Sequence, residues 1–160
     1  MRVYLAPGWR GTGETVAPWV AGLRQRGFQA EAVLPGVGRA EQRMDAFRAV
    51  AAPDAAIGGL SFGGRVASLV AAERSVAGLL CVGYPLAGEP EERTRHWRRI
   101  SCPVLVVNGE LDELTDPREL RRLLPLLPRG RLELIPGGTH SLTAQLADVL
   151  DLAADFLSRL

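Results

Sequence analysis

Lysine is absent from this chain of 160 residues, and all 19 of its basic side chains are arginine. Eighteen acidic residues oppose them, leaving a formal net charge of +1, so a broad footprint for nucleic acid or an anionic membrane surface is not expected. The missing lysine also rules out a Walker-type phosphate loop. Cysteine is scarce: Cys81 and Cys102 are the two present. They fall near opposite ends of what read as neighbouring strands, so they are expected as buried free thiols rather than as a disulfide. No long apolar span, charged leader, linker, low-complexity stretch or internal repeat is found. A membrane span is therefore excluded, and a cytoplasmic location is the expectation. No metal or cofactor is expected.

What is present reads as an ordinary globular composition, with 47% hydrophobic and 23% charged residues. The length suits one domain over residues 1–160 that buries roughly two thirds of its unfolded surface. Short continuous apolar runs predict strands over 3–6, 28–34, 55–58, 76–82, 103–108 and 131–135. Helical spacing predicts helices over 14–26, 41–52, 65–74 and 117–127, and a final helix capped by Ser141. The segment 83–99 reads as a loop plus one short helix, with His96 solvated among arginines. Continuous apolar strands alternating with helices imply an α/β fold: about six parallel strands between two helical layers, a three-layer α/β/α sandwich.

In such a sheet, ligands bind outside the carboxyl ends of the strands. Polar residues just after strands are therefore the ones to inspect. Gly59-Leu60-Ser61-Phe62-Gly63 fits G-x-S-x-G, a strand-to-helix turn that projects a serine hydroxyl outward. A Gly-rich turn can also serve packing alone. Serine needs a base at neutral pH, and the base needs a carboxylate to fix its tautomer, which makes His140 and Asp112 the candidates. Each follows a strand, and the order Ser61, Asp112, His140 is that of α/β-hydrolases. Asp112 could instead be a turn residue beside Glu110 and Glu113, and His140 a surface residue. An oxyanion would need two backbone donors: Phe62 at the helix start, and Trp9 or Gly8 from the loop after the first strand. Trp9, Tyr84, Leu86 and Leu114 could line an acyl pocket or belong to the core.

Gly59 to Arg65, Gly83-Tyr84-Pro85-Leu86, Asn108-Gly109-Glu110-Leu111-Asp112 and Gly138-Thr139-His140-Ser141 together resemble the small KANL/TEX-type branch of the α/β-hydrolase superfamily, related to dienelactone hydrolases. The likeness implies a minimal α/β-hydrolase core with Ser61, Asp112 and His140 at the catalytic positions. The chain departs from the wider pattern by starting at the strand that is usually third, by Pro7-Gly8 where many relatives have His-Gly, and by lacking an insertion that could form a lid domain.

Three functions compete. The first is a serine hydrolase acting on a small-molecule acyl ester or thioester. The second is a non-catalytic binding or scaffold protein of the same fold, as some members of related branches are. The third, a nucleotide binder, is disfavoured because Gly8, Gly11 and Gly13 have the wrong offsets for G-x-G-x-x-G. A homodimer contact could use a sheet edge or the segment 84–97.

Overall fold

The computed structural model describes residues 1–160 as a six-stranded sheet in the order β2-β1-β3-β4-β5-β6, with every pairing parallel. The strands are β1 Arg2–Ala6, β2 Gln29–Ala32, β3 Ala55–Leu60, β4 Gly78–Val82, β5 Val104–Gly109 and β6 Gly130–Ile135. The helices are α1 Gly13–Gln25, α2 Asp45–Arg48, α3 Phe62–Ala71, α4 Pro90–Thr94, α5 Pro117–Leu123 and α6 Leu146–Leu157. No helix is long and apolar enough to cross a membrane.

Alternation along the strands divides the core into two layers. Val3 and Leu5 of β1 face α1 and α6 in a cluster of 19 buried residues. Tyr4 and Ala6 face the other way, into a cluster of 25 that also takes in α2, α3 and α5. Continuous apolar strands are thus explained, because each side chain meets a helix whichever way it points. Both cysteines are buried and free.

Strand order reverses at β1, which pairs with β2 on one side and β3 on the other. The loops leaving β1 and β3 therefore part at their carboxyl ends and open a crevice there. Ser61 and Gly8 stand at that point.

Several predicted elements differ in extent. The helix expected over 41–52 is a 3-10 turn at Ala40–Gln42 followed by the single turn α2. Of that run only Met44 and Phe47 are buried large side chains, and one turn is enough to seat both. The helix over 117–127 stops at Leu123 and tightens to a 3-10 turn, because Pro125 cannot donate to the helical ladder. Ser141 does not cap the last helix: Leu142 takes a left-handed φ of 53° and is fully buried, a 3-10 turn follows, and α6 begins at Leu146.

His96 is the clearest correction, for it is buried at 5% exposure rather than solvated. Its Nε2 lies 2.8 Å from Ser68 Oγ on α3, and that bond holds the segment after α4 onto the core. Burial, reinforced by Arg65 and Arg99, pushes its pKa down to about 4. The folded protein then binds the proton more weakly than the unfolded chain, so the His96 contribution to stability is present above pH ~6.5 and lost as pH falls towards ~4. The expected outcome is that wild type loses about 3 kcal/mol more stability between pH ~6.5 and ~4 than His96→Gln. Denaturant unfolding at a series of pH values measures it; equal slopes in the two proteins would refute it.

Candidate active site

At the end of β3, Leu60 pairs with Val82, and the Ser61 N–H donates to the Val82 carbonyl at 2.7 Å. Pairing with β4 thus persists to the serine itself. There the chain turns sharply: Ser61 has φ +44°, a conformation that side-chain-bearing residues rarely adopt, and α3 starts at the next residue. The turn leaves no room on its inner side. A Cβ on Gly63 would lie 2.5 Å from the Pro7 carbonyl oxygen and 2.6 Å from that of Ala6, and one on Gly59 would lie 2.5 Å from the Ala6 oxygen. Both conserve the close approach of α3 to the end of β1.

The other two residues come from the neighbouring strand ends. Gly109 and Ile135 close the β5–β6 ladder, after which Glu110 N–H donates to the Ile135 carbonyl at 3.0 Å and Leu111 N–H to that of Gly138 at 2.8 Å. The two loops are thereby tied together, with Asp112 on one and His140 on the other. The His140 backbone N–H also donates to Glu113 Oε2 at 3.2 Å.

His140 Nε2 lies 2.8 Å from Ser61 Oγ, and its Nδ1 lies 2.9 and 3.0 Å from the two oxygens of Asp112. A ring nitrogen facing a carboxylate carries the hydrogen, so the Nε2 lone pair faces the serine hydroxyl. The Asp112 side chain is fully buried and that of His140 is 15% exposed. A buried carboxylate requires donors. Asp112 has two besides the imidazole: Asn108 Nδ2 at 2.7 Å and the Leu114 N–H at 2.8 Å.

A cavity of about 530 Å³ opens at Ser61. Trp9, Phe62 and Leu114 form an apolar part of its wall, while Arg39, Glu41 and Arg65 form a charged part. The Trp9 and Phe62 rings meet edge to face with centroids 5.2 Å apart. Arg65 donates to Glu41 at 2.6 Å. Burial pushes the Glu41 carboxyl up, but the backbone hydrogen bond, Arg65 and Arg39 outweigh it and hold it below the usual carboxylate range.

The predicted residues divide as follows. Ser61, Asp112 and His140 are brought together. Gly8 lies against Ser61, since a Cβ built on it would be 3.6 Å from the serine Cβ, and Trp9 stands half exposed beside Phe62 on the cavity wall. Leu114 also lines the cavity. Tyr84 and Leu86 do not, and their assignment to substrate contact is corrected: both are core residues, at 0% and 3% exposure. The Tyr84 hydroxyl is engaged inward, donating to the Arg93 carbonyl at 2.7 Å, and its ring packs on Trp97. Arg39, Glu41 and Arg65 are wall residues that no motif marks in the sequence, although Arg65 directly follows the elbow glycines. Asn108 belongs in the sequence to the Asn108–Asp112 motif, and the signal for its role is a polar residue near the end of an otherwise apolar strand.

Residues 34–155 match the family described as "Alpha/beta hydrolase domain". No curated protein matches the sequence. Among solved structures, the chain is similar to Est1E from Butyrivibrio proteoclasticus, at 18% identity and a TM-score of 0.85 over 99% of this chain and 87% of that one. It is similar to a dienelactone hydrolase from Anabaena variabilis, at 18% identity and a TM-score of 0.85 over 99% and 85%. It is also similar to a monoacylglycerol lipase from Paleococcus ferrophilus, at 15% identity and a TM-score of 0.80 over 99% and 94%. At such identities the likeness to these three is one of fold.

The elbow packing leads to a stability prediction. Gly63→Ala drives a methyl into two backbone carbonyls that cannot swing aside, so the expected cost is about 1–3 kcal/mol. Gly13→Ala, with nothing within 4 Å of the added atom, should change stability far less. Thermal unfolding of both variants is the check, and equal midpoints would contradict the steric account.

Proposed function

This chain belongs to the alpha/beta-hydrolase family, and on that premise we propose that it is a serine hydrolase cleaving a small ester or thioester through an acyl-enzyme. The observation that carries the reading is the 2.8 Å contact between Ser61 Oγ and His140 Nε2, with Asp112 behind the ring. His140 takes the Ser61 proton as Oγ attacks the acyl carbon, and the Asp112 carboxylate stabilises the positive charge that develops on the imidazole. The tetrahedral intermediate then expels the alcohol or thiol, which receives the proton from His140. Water, deprotonated by the same imidazole, releases the acid and restores Ser61.

The negative charge on the former carbonyl oxygen falls at the start of α3. The first N–H groups of a helix have no intrahelical acceptor, and the helix dipole favours an anion there. The Phe62 N–H is one proposed donor to the oxyanion. The second is assigned to the backbone of Gly8 or Trp9, supported by the packing of Gly8 on Ser61. Loss of one such donor typically costs about 3 kcal/mol of transition-state stabilisation.

The cavity supports a small substrate rather than a long lipid chain. Its apolar wall at Trp9, Phe62 and Leu114 suits a compact hydrocarbon or aromatic group, whereas the Arg39, Glu41 and Arg65 side would have to be desolvated by an extended alkyl chain. The cavity is open at Ser61, which weighs against the non-catalytic reading.

A fluorophosphonate probe is expected to label Ser61, and Ser61→Ala to abolish the label; persistent labelling of that variant would end the assignment. Asp112→Asn should leave Ser61 in place but lower ester turnover on the order of a thousandfold or more, because the amide permits the wrong imidazole tautomer. Across an ester panel, short acyl chains should be preferred, with Trp9→Ala relaxing that preference.

A further inference from the structure

Asn108 occupies a position that the reaction steps leave without a role. It sits near the end of β5, fully buried. Its Oδ1 accepts the Tyr84 backbone N–H at 2.8 Å, and its Nδ2 donates to Asp112 Oδ2 at 2.7 Å. The orientation of the amide is not free: the Tyr84 N–H can only donate, so the oxygen must face it and the NH₂ must face the carboxylate. The same Asp112 oxygen lies 2.9 Å from His140 Nδ1.

We propose that Asn108 is a positioning residue of the active site, whose oriented amide fixes the rotamer of Asp112 and tempers its pull on the His140 proton. The inference rests on the serine-hydrolase reading of Ser61, and deepens it by one layer. A carboxylate with the full set of donors is a weaker base than one lacking a donor, because hydrogen bonds to its charged form stabilise that form. Removing the Asn108 donor concentrates the negative charge on the imidazole side, so protonated His140 is held more tightly. The ring then takes up its proton at higher pH and is less available as a base near neutrality.

Few side chains can take the place of asparagine, since position 108 must accept on one side and donate on the other. Leucine, of similar shape, does neither. Aspartate keeps the acceptor for Tyr84 and, facing buried Asp112, shares one proton with it near neutrality, because two adjacent buried carboxylates do not both ionise. Aspartate is therefore the conservative variant and leucine the one that removes both contacts.

The experiment follows the His140 ring by NMR across pH in wild type, Asn108→Leu and Asn108→Asp, alongside the rate of fluorophosphonate labelling. In wild type the Asn108 side-chain amide protons should shift together with the His140 titration. In Asn108→Leu the titration midpoint should rise by about half a unit, and labelling near neutrality should slow by up to about threefold, the difference closing at high pH. In Asn108→Asp the shared proton restores a donor to Asp112, so the midpoint should lie closer to wild type than in Asn108→Leu. A folded Asn108→Leu protein with the wild-type midpoint, or with a uniform loss of rate at every pH, would overturn the proposal. Amide protons indifferent to the titration in wild type would also overturn it, even if neither variant folds. Failure of wild type to label at Ser61 is a separate result that refutes the hydrolase reading alone, since the ring titration is read without a nucleophile.

Discussion

The hydrogen bond from the Ser61 N–H to the Val82 carbonyl is the contact on which the rest of the site depends. It keeps β3 paired with β4 up to the residue at which the chain must reverse into α3. Without it the turn could slide, and the serine would share its position with its neighbours. With it, Ser61 is held at φ +44°, a conformation that costs of order 1–3 kcal/mol and persists only where the surroundings over-determine it. Here they do so from two sides: β4 grips the backbone, and the carbonyls of Ala6 and Pro7 press against Gly63.

A second constraint acts across the β4 and β5 ends. Polar groups buried in this region must be paired, and each one is paired by something the sheet brings to it. Tyr84 N–H meets Asn108, Asn108 meets Asp112, and Thr115 Oγ1 donates to the Tyr84 carbonyl at 2.8 Å while accepting the Leu86 N–H at 2.9 Å. The segment following β4 is thereby pinned to the loop following β5. That is why Tyr84 and Leu86 point into the core, while Pro85 and Ala87 between and beyond them reach the cavity wall together with the loops after β1 and β2.

The fold was largely legible, because continuous apolar strands broken by helical periodicity admit few arrangements, and the three residues of the site each follow a strand. What escaped were features set by tertiary contact. The buried state of His96 could not be read from its neighbours in the chain, since Arg93, Arg95, Arg98 and Arg99 describe a solvated segment, while the partner that buries it, Ser68, lies on α3. Leu142 likewise overrode local capping: its burial bends the chain into a left-handed residue and moves the start of α6 past the expected cap. Charged wall residues such as Arg39 and Glu41 sit at and just before the 3-10 turn Ala40–Gln42, where the helical spacing expected over 41–52 does not hold and so does not mark which way a side chain faces.

The two histidines show how position decides chemistry. His140 borders a buried carboxylate, so positive charge placed on its ring would be offset by charge of the other sign close by. His96 is buried with Arg65 and Arg99 around it, and burial together with those guanidinium groups drives its pKa down to about 4. Its nearest hydroxyl, Ser68 Oγ, is committed to the Arg65 carbonyl at 2.7 Å and is fully buried, and the imidazole is hydrogen-bonded to that serine rather than to a carboxylate. A serine 2.8 Å from a histidine therefore occurs twice in this chain. Only in the pair at the end of the sheet does the serine open on a cavity while the imidazole is hydrogen-bonded to a carboxylate.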